Sequence, residues 1–216
     1  MITSWNKCAL AIAVSSMLAA CGGGSGGGSA SSSSATTPSA PAQSSSADTE
    51  TAAIAVDYSL FEDEALAACV QQTGINYTNQ LQMLECVDYN IGSVDGIEQF
   101  PQLRVLNLKL NKIEDIEPLE DLAELSYLDI SHNQISDISD LSALKKITTL
   151  SADHNQIESL EPVAELPNLV RLYVDNNQIA SLEPVNSLSA IRHLTANNNP
   201  ATLPASLPAS LATYRI

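Results

Sequence analysis

The sequence predicts an α/β solenoid, a stack of short units sharing one parallel β-sheet on a concave face, with a helix closing its amino-terminal end. Three observations predict it. Asn111, Asn133, Asn155, Asn177 and Asn199 recur every 22 residues. Around them, apolar residues first alternate with period two, as in Leu106-x-Leu108, Leu128-x-Ile130, Leu150-x-Ala152 and Leu172-x-Val174, and then return every two to three positions, as in Ile113, Ile116, Leu119 and Leu122. A single unit of this length cannot bury its own apolar side, so the units must stack.

Residues 81–212 divide into six such units. Period-two alternation marks a short strand with one buried face. The later apolar residues bring the chain back over the core through a tight 3₁₀ or extended segment. Pro118, Pro162 and Pro184 stand at one position of that segment, where a fixed φ suits the start of a helical turn and a missing N–H costs little. The turn after each strand leaves backbone groups pointing inward. An asparagine amide donates and accepts at once, so a ladder of asparagines satisfies the stack. The first unit has Tyr89 at the asparagine site, and the last drifts after Pro200. The pattern LxxLxLxxNxIxxIxxLxxL resembles the leucine-rich-repeat signature, and its period is similar to that of the internalin type. The resemblance implies a right-handed superhelix with a short 3₁₀ or extended convex side and a binding role for the concave face.

Residues 1–20 read as a secretory leader. Lys7 precedes an apolar stretch over 8–20 that is shorter than the roughly 20 residues needed to span a bilayer. Leu18-Ala19-Ala20-Cys21 resembles the lipobox of bacterial lipoproteins, which implies lipidation of Cys21. Gly22 stands where Asp often retains lipoproteins in the inner membrane, so the resemblance implies delivery to the outer membrane, with the domain facing the periplasm or the surface. Residues 21–55 are rich in Gly, Ser, Ala, Thr and Pro and read as a tether, because so little apolar surface cannot offset the entropy of ordering.

Residues 56–80 are expected to form the amino-terminal cap. Ser59-Leu60-Phe61-Glu62 has the form of a capping box, Ala65, Leu66, Cys69 and Val70 give a helical apolar stripe, and Thr73-Gly74 ends it. Cys86 occupies an inward strand position and Cys69 lies on the stripe, so the two meet if the helix lies over the first strand. An exported chain meets an oxidising compartment, which favours a Cys69–Cys86 disulfide over the alternative of two buried thiols. At the other end, Leu207, Leu211 and Tyr214 are expected to cover the last unit, with 213–216 ending the cap.

Residues flanking the buried strand positions face outward. They include Val105, Asn107, Lys109, Leu110, Ser131, Thr149, Ser151, Asn176, Thr195, Asn197 and Asn198, and a candidate protein-binding set: Tyr127, Asp129, His132, Asp153, His154, Arg171, Tyr173, Asp175 and His193. This set concentrates Tyr, His and Arg in a chain that is 4% aromatic, and Tyr and Arg are favoured at binding hot spots. His132 and His154 stand one unit apart, with side chains expected to stack at about 5 Å. A divalent metal there needs a further ligand, so no metal and no cofactor is assigned. Ser151, His132 and Asp129 can be picked as a catalytic trio, but any such face supplies one by chance, and no GxSxG, HExxH or phosphate-binding loop is present; the chain reads as a non-enzyme.

The net charge of -16, from 25 acidic and 9 basic residues, excludes nucleic acid held by phosphate neutralisation and broad contact of the folded domain with anionic lipid. The expectation is a monomeric, lipid-anchored module that binds a protein or peptide; the alternatives are an envelope structural protein without a dedicated ligand and a metal-binding face at His132 and His154. Cys21→Ser is expected to release the protein from the membrane fraction or leave it unprocessed, as followed by fractionation and blotting. Normal membrane fractionation of that variant would remove the anchor.

Overall fold

In the computed structural model, residues 53–202, 204 and 206–216 are described. The expected leader, the expected lipidation of Cys21 and most of the expected tether fall on residues outside the described ones. Seven parallel strands form one sheet in chain order: β1 Met83–Glu85, β2 Val105–Asn107, β3 Tyr127–Asp129, β4 Thr149–Ser151, β5 Arg171–Tyr173, β6 His193–Thr195 and β7 Thr213–Arg215. Each strand is three residues long because only one residue per strand, such as Leu106 or Leu128, must point inward before the chain turns. From β1 to β6 the register pairs equivalent residues, as in Leu84 with Leu106 and Leu106 with Leu128.

The return path is built from 3₁₀ turns: Ile97–Gln99, Glu117–Leu119, Ser139–Ala143, Glu161–Glu165 and Glu183–Ser187. Pro118, Pro162 and Pro184 each sit in the first two positions of such a turn. Asp115 and Asp137 accept backbone N–H groups at the start of two turns (2.9 Å each), and Ser159 and Ser181 do the same at two others (3.2 Å each). Behind the sheet the apolar side chains form continuous columns. Phe100, Leu122, Leu144, Leu166 and Leu188 occupy one of them, all with at most 1% exposure.

The asparagine of each unit reaches across to the preceding one. Asn155 Oδ1 accepts from Ile135 N–H (3.1 Å), while its Nδ2 donates to Ile130 O (3.0 Å) in the preceding unit and to Ala152 O (3.2 Å) in its own turn. Asn133, Asn177 and Asn199 repeat the pattern. Asn111 accepts from both Tyr89 N–H and Ile91 N–H and donates to Cys86 O, which is how the first unit manages with a tyrosine at its own asparagine position. Asn111, Asn133, Asn155 and Asn177 are buried, and Asn199 at the end of the ladder is half-buried.

The cap differs from the sequence expectation in its details. The helix α1 spans Glu64–Gln72, and its cap is Asp63 rather than a Ser59–Glu62 box; Ser59 lies in a 3₁₀ turn, Tyr58–Leu60, capped by Asp57. Asp63 does two jobs. Its Oδ1 accepts from Ala65 and Leu66 N–H (2.7 and 3.2 Å), and its Oδ2 accepts from Gly92 N–H (2.7 Å) in the first unit. Burial pushes its carboxyl up, but the backbone donors of Gly92, Ala65, Leu66 and Ser93 outweigh this and hold it below the usual range. Cys69 on α1 and Cys86 after β1 are joined as a disulfide across 17 residues of sequence. Phe61 packs on Phe100 with ring centroids 6.2 Å apart. Gly96, at φ 94°, lies under this contact, where a Cβ would meet Leu60 O and the Phe61 ring at 2.9 Å. Pairing of the cap begins at Ile54 and Ala55, earlier than the expected boundary, through Thr78 N–H to Ile54 O (2.8 Å) and an antiparallel bridge from Ala55 to Tyr77.

At the other end, residues 213–216 do not merely finish a cap. They supply β7, in which Tyr214 pairs with Leu194, a spacing of 20 residues where the preceding units use 22. Tyr214 occupies the inward column yet remains 56% exposed; Leu211 packs against the core, and Leu207 is half-buried.

Truncating Asn155 to alanine strands backbone groups on two units, and unpaired buried groups cost about 1–3 kcal/mol. We expect Asn155→Ala to lower stability by that amount in urea unfolding and Asn199→Ala to cost less. Equal and negligible losses for both would show that the ladder is not what secures the turns.

Candidate functional site

Outward-facing residues form rows that cross the sheet. The first row holds Met83, Val105, Tyr127, Thr149, Arg171, His193 and Thr213; the second holds Glu85, Asn107, Asp129, Ser151, Tyr173, Thr195 and Arg215. A third row follows each strand, with Lys109, Ser131, Asp153, Asp175 and Asn197. Neighbours in a row stand about 4.8 Å apart, and successive rows about 6.6 Å.

The next position in each unit turns the chain out of the sheet in the left-handed conformation. Leu110, His132, His154, Asn176 and Asn198 all have φ between 55° and 60°, a region that Asn, Asp and His tolerate better than other side chains. Leu110 is the exception, an aliphatic side chain held in this conformation with 44% of its surface exposed. His132 and His154 stack with centroids 4.1 Å apart and planes 15° apart, tighter than the strand spacing alone implies. The column continues by side-chain hydrogen bonds: Asn176 Nδ2 donates to His154 Nε2 (3.1 Å), and Asn198 Nδ2 donates to Asn176 Oδ1 (2.8 Å). In the first of these contacts the amide nitrogen donates, so the ring nitrogen accepts. Burial lowers the His132 pKa, with further lowering from His154 and Lys109 and a smaller opposing pull from Asp153 and Asp129.

Several residues expected on the open face are instead built into it. Asp129, Ser131 and Thr149 are buried at 8%, 2% and 9% exposure. Asp129 Oδ1 accepts Ser131 N–H (3.0 Å), Asp153 Oδ1 accepts Asp175 N–H (2.7 Å), and Asp175 Oδ1 accepts Asn197 N–H (2.6 Å). Asp153 and Asp175 thus tie each unit to the next past the strand ends, whereas Asp129 braces its own turn. Burial raises the Asp153 pKa, and Asp175 and Asp129 add to that, against the Asp175 N–H and His154. The suggested Ser151, His132 and Asp129 trio does not assemble: Ser151 Oγ pairs with Ser131 Oγ at 2.8 Å, Asp129 holds a backbone amide, and His132 stacks on His154. Among the described residues, no group of three His, Cys, Asp or Glu side chains is placed to hold a metal ion.

Large side chains that reach the open face include Tyr127, Arg171, Tyr173, His154 and His193, together with Met83 and Glu85. The last two were missed because the first unit lacks the asparagine on which the repeats align. Burial raises the Tyr127 pKa, reinforced by Asp129, Glu85 and Tyr173. His193 Nδ1 and Thr213 Oγ1 are hydrogen-bonded at 2.6 Å.

Residues 101–157 match the family described as leucine rich repeat. Among solved structures, the chain is similar to an internalin (inlF) from Listeria monocytogenes, with a TM-score of 0.55 and 23% identity over 70% of this chain and 54% of that one. It is also similar to internalin C2 of the same organism, with a TM-score of 0.41 and 22% identity over 76% of this chain and 97% of that one. The match therefore spans about half the length of the first of these. No curated protein matches the chain by sequence.

Replacing His154 by Asn removes the ring stacked on His132 and with it part of the burial and the His154 interaction that lower the His132 pKa. The His132 pKa should then rise toward its ordinary value of about 6.5, as read from the imidazole proton shifts in an NMR titration. A His132 that titrates identically in both proteins would show that the stack does not couple them.

Proposed function

We infer that this chain, a leucine-rich-repeat protein by its fold and its matched repeats, is a binding module whose concave sheet holds a protein or peptide. One observation supports this most directly. Tyr127 projects from β3, and Arg171 and Tyr173 from β5, of a single sheet, each strand backed by a fully buried core residue, Leu128 or Leu172. Rigid backbone beneath large side chains keeps the entropy cost of docking small, and Tyr and Arg are the side chains that most often dominate binding energy. The concave face is an open sheet, a shape suited to a macromolecular surface or an extended segment. No catalytic role, cofactor or metal forms part of this function.

The leader and Cys21 add a location to the proposal. By sequence alone, the domain would be joined to an outer-membrane lipid by a tether of some 30 residues rich in Gly, Ser and Ala. Acyl chains contribute about 0.8 kcal/mol per buried CH₂, so more than one chain holds the protein stably. The module would then act as a monomer at the cell envelope.

The combined variant Tyr127→Ala, Arg171→Ala, Tyr173→Ala tests the binding face. A partner identified by crosslinking in intact cells should bind it at least about tenfold more weakly, with the melting temperature unchanged because none of the three is a core residue. Undiminished binding by the triple variant would move the site off the concave face.

A further inference from the structure

The concave face changes character from one end to the other. Over β1–β3 its first two rows present Met83, Val105 and Tyr127 beside Glu85 and Asp129, with no cation in those rows. Met83 is 57% exposed. Over β5–β7 the same rows present Arg171, His193, Tyr173 and Arg215 with no carboxylate. Thr149 and Ser151 of β4, both short, separate the two ends.

At the basic end the surface dips into a cavity of about 550 Å³, lined by Tyr173, His193, Thr195, Thr213, Tyr214 and Arg215 over Leu194 and Ala212. Every polar lining side chain carries a hydroxyl, imidazole or guanidinium group. Asp175, one row away, has its Oδ1 engaged by the Asn197 backbone N–H at 2.6 Å and side-chain Nδ2 at 3.0 Å. On a chain of net charge -16, most of the surface repels an anion. This pocket offers one a guanidinium, which can grip a carboxylate through paired N–H groups, and the hydroxyls of Thr195 and Tyr173 beside it.

We propose that this pocket receives an Asp or Glu side chain of a partner protein, and that the same partner segment lays an apolar side chain on Met83, Val105 and Tyr127. The occupant is thus an extended segment with one acidic end and one apolar end, bound across the strands in a single direction. The inference rests on the concave face being the binding surface, and it adds polarity and chemistry to that surface. From β2 to β6 is four strand spacings, about 19 Å, which an extended chain covers in about six residues.

Display of random peptides of about twelve residues, selected against the full chain, reads this directly. The expected outcome is enrichment of sequences with Asp or Glu about five to seven positions from Leu, Ile, Met or Phe, predominantly in one order. Arg215→Glu should weaken those peptides about tenfold, and peptides in which the acid is replaced by Lys should regain binding to that variant. That reciprocal gain also establishes that the variant is folded. Selected peptides that lose binding in the Tyr127, Arg171, Tyr173 triple variant, yet are indifferent to Arg215→Glu or show no acidic enrichment, would overturn the polarity while leaving the concave face in place. Peptides insensitive to both changes, or a selection that yields no binder, would overturn both proposals.

Discussion

Every unit of this solenoid has to leave the sheet through a turn whose backbone faces an apolar interior. Water cannot reach those amides and carbonyls, so the chain itself must pair them. In every unit after the first, one asparagine does so by accepting from the preceding unit and donating both backward and within its own turn, as Asn155 does with Ile135, Ile130 and Ala152. The requirement sets the spacing of everything else. It fixes where each strand ends and which residue must adopt the left-handed conformation. It therefore also fixes which side chains line up in rows on the concave side.

Much of this was legible in the sequence because the constraint repeats. The inward columns, the asparagines and the helix-starting prolines follow from period and from residue chemistry. Features that occur once were harder to read. Asp63 caps α1 and also ties it to Gly92, a contact between distant parts of the chain with no periodic signature. The seventh strand escaped because three prolines and a shortened spacing carry Tyr214 out of the pattern. Met83 and Glu85 were overlooked for the reason that Tyr89 replaces the landmark asparagine in their unit.

Alternation also overstates how much of the face is free. A side chain that points out of the sheet can still bend back to its own backbone. Asp129 does this with Ser131 N–H, while Asp153 and Asp175 reach sideways to amides of the next unit, and all three are tied up past a strand end. The acidic residues of the concave side thus serve two masters: they secure the edges of the sheet and set the potential that a ligand meets. The large side chains between them, Tyr127, Arg171 and Tyr173, carry no such backbone duty and are free to vary with the ligand without disturbing the fold.

The two ends of the stack are closed unequally. The amino-terminal unit is held by a covalent bond between Cys69 and Cys86, by Asp63 and by the aromatic contact of Phe61 with Phe100, whereas all three residues of β7 are exposed. In a linear array each unit is steadied only by its neighbours. Thermal fraying should accordingly start at β7 and travel toward the helix, so amide protons would exchange along a gradient, fastest where the basic pocket lies. The same asymmetry leaves the pocket end of the surface the more adaptable one, able to adjust its shape around a docked segment, while the apolar end stays a rigid anvil.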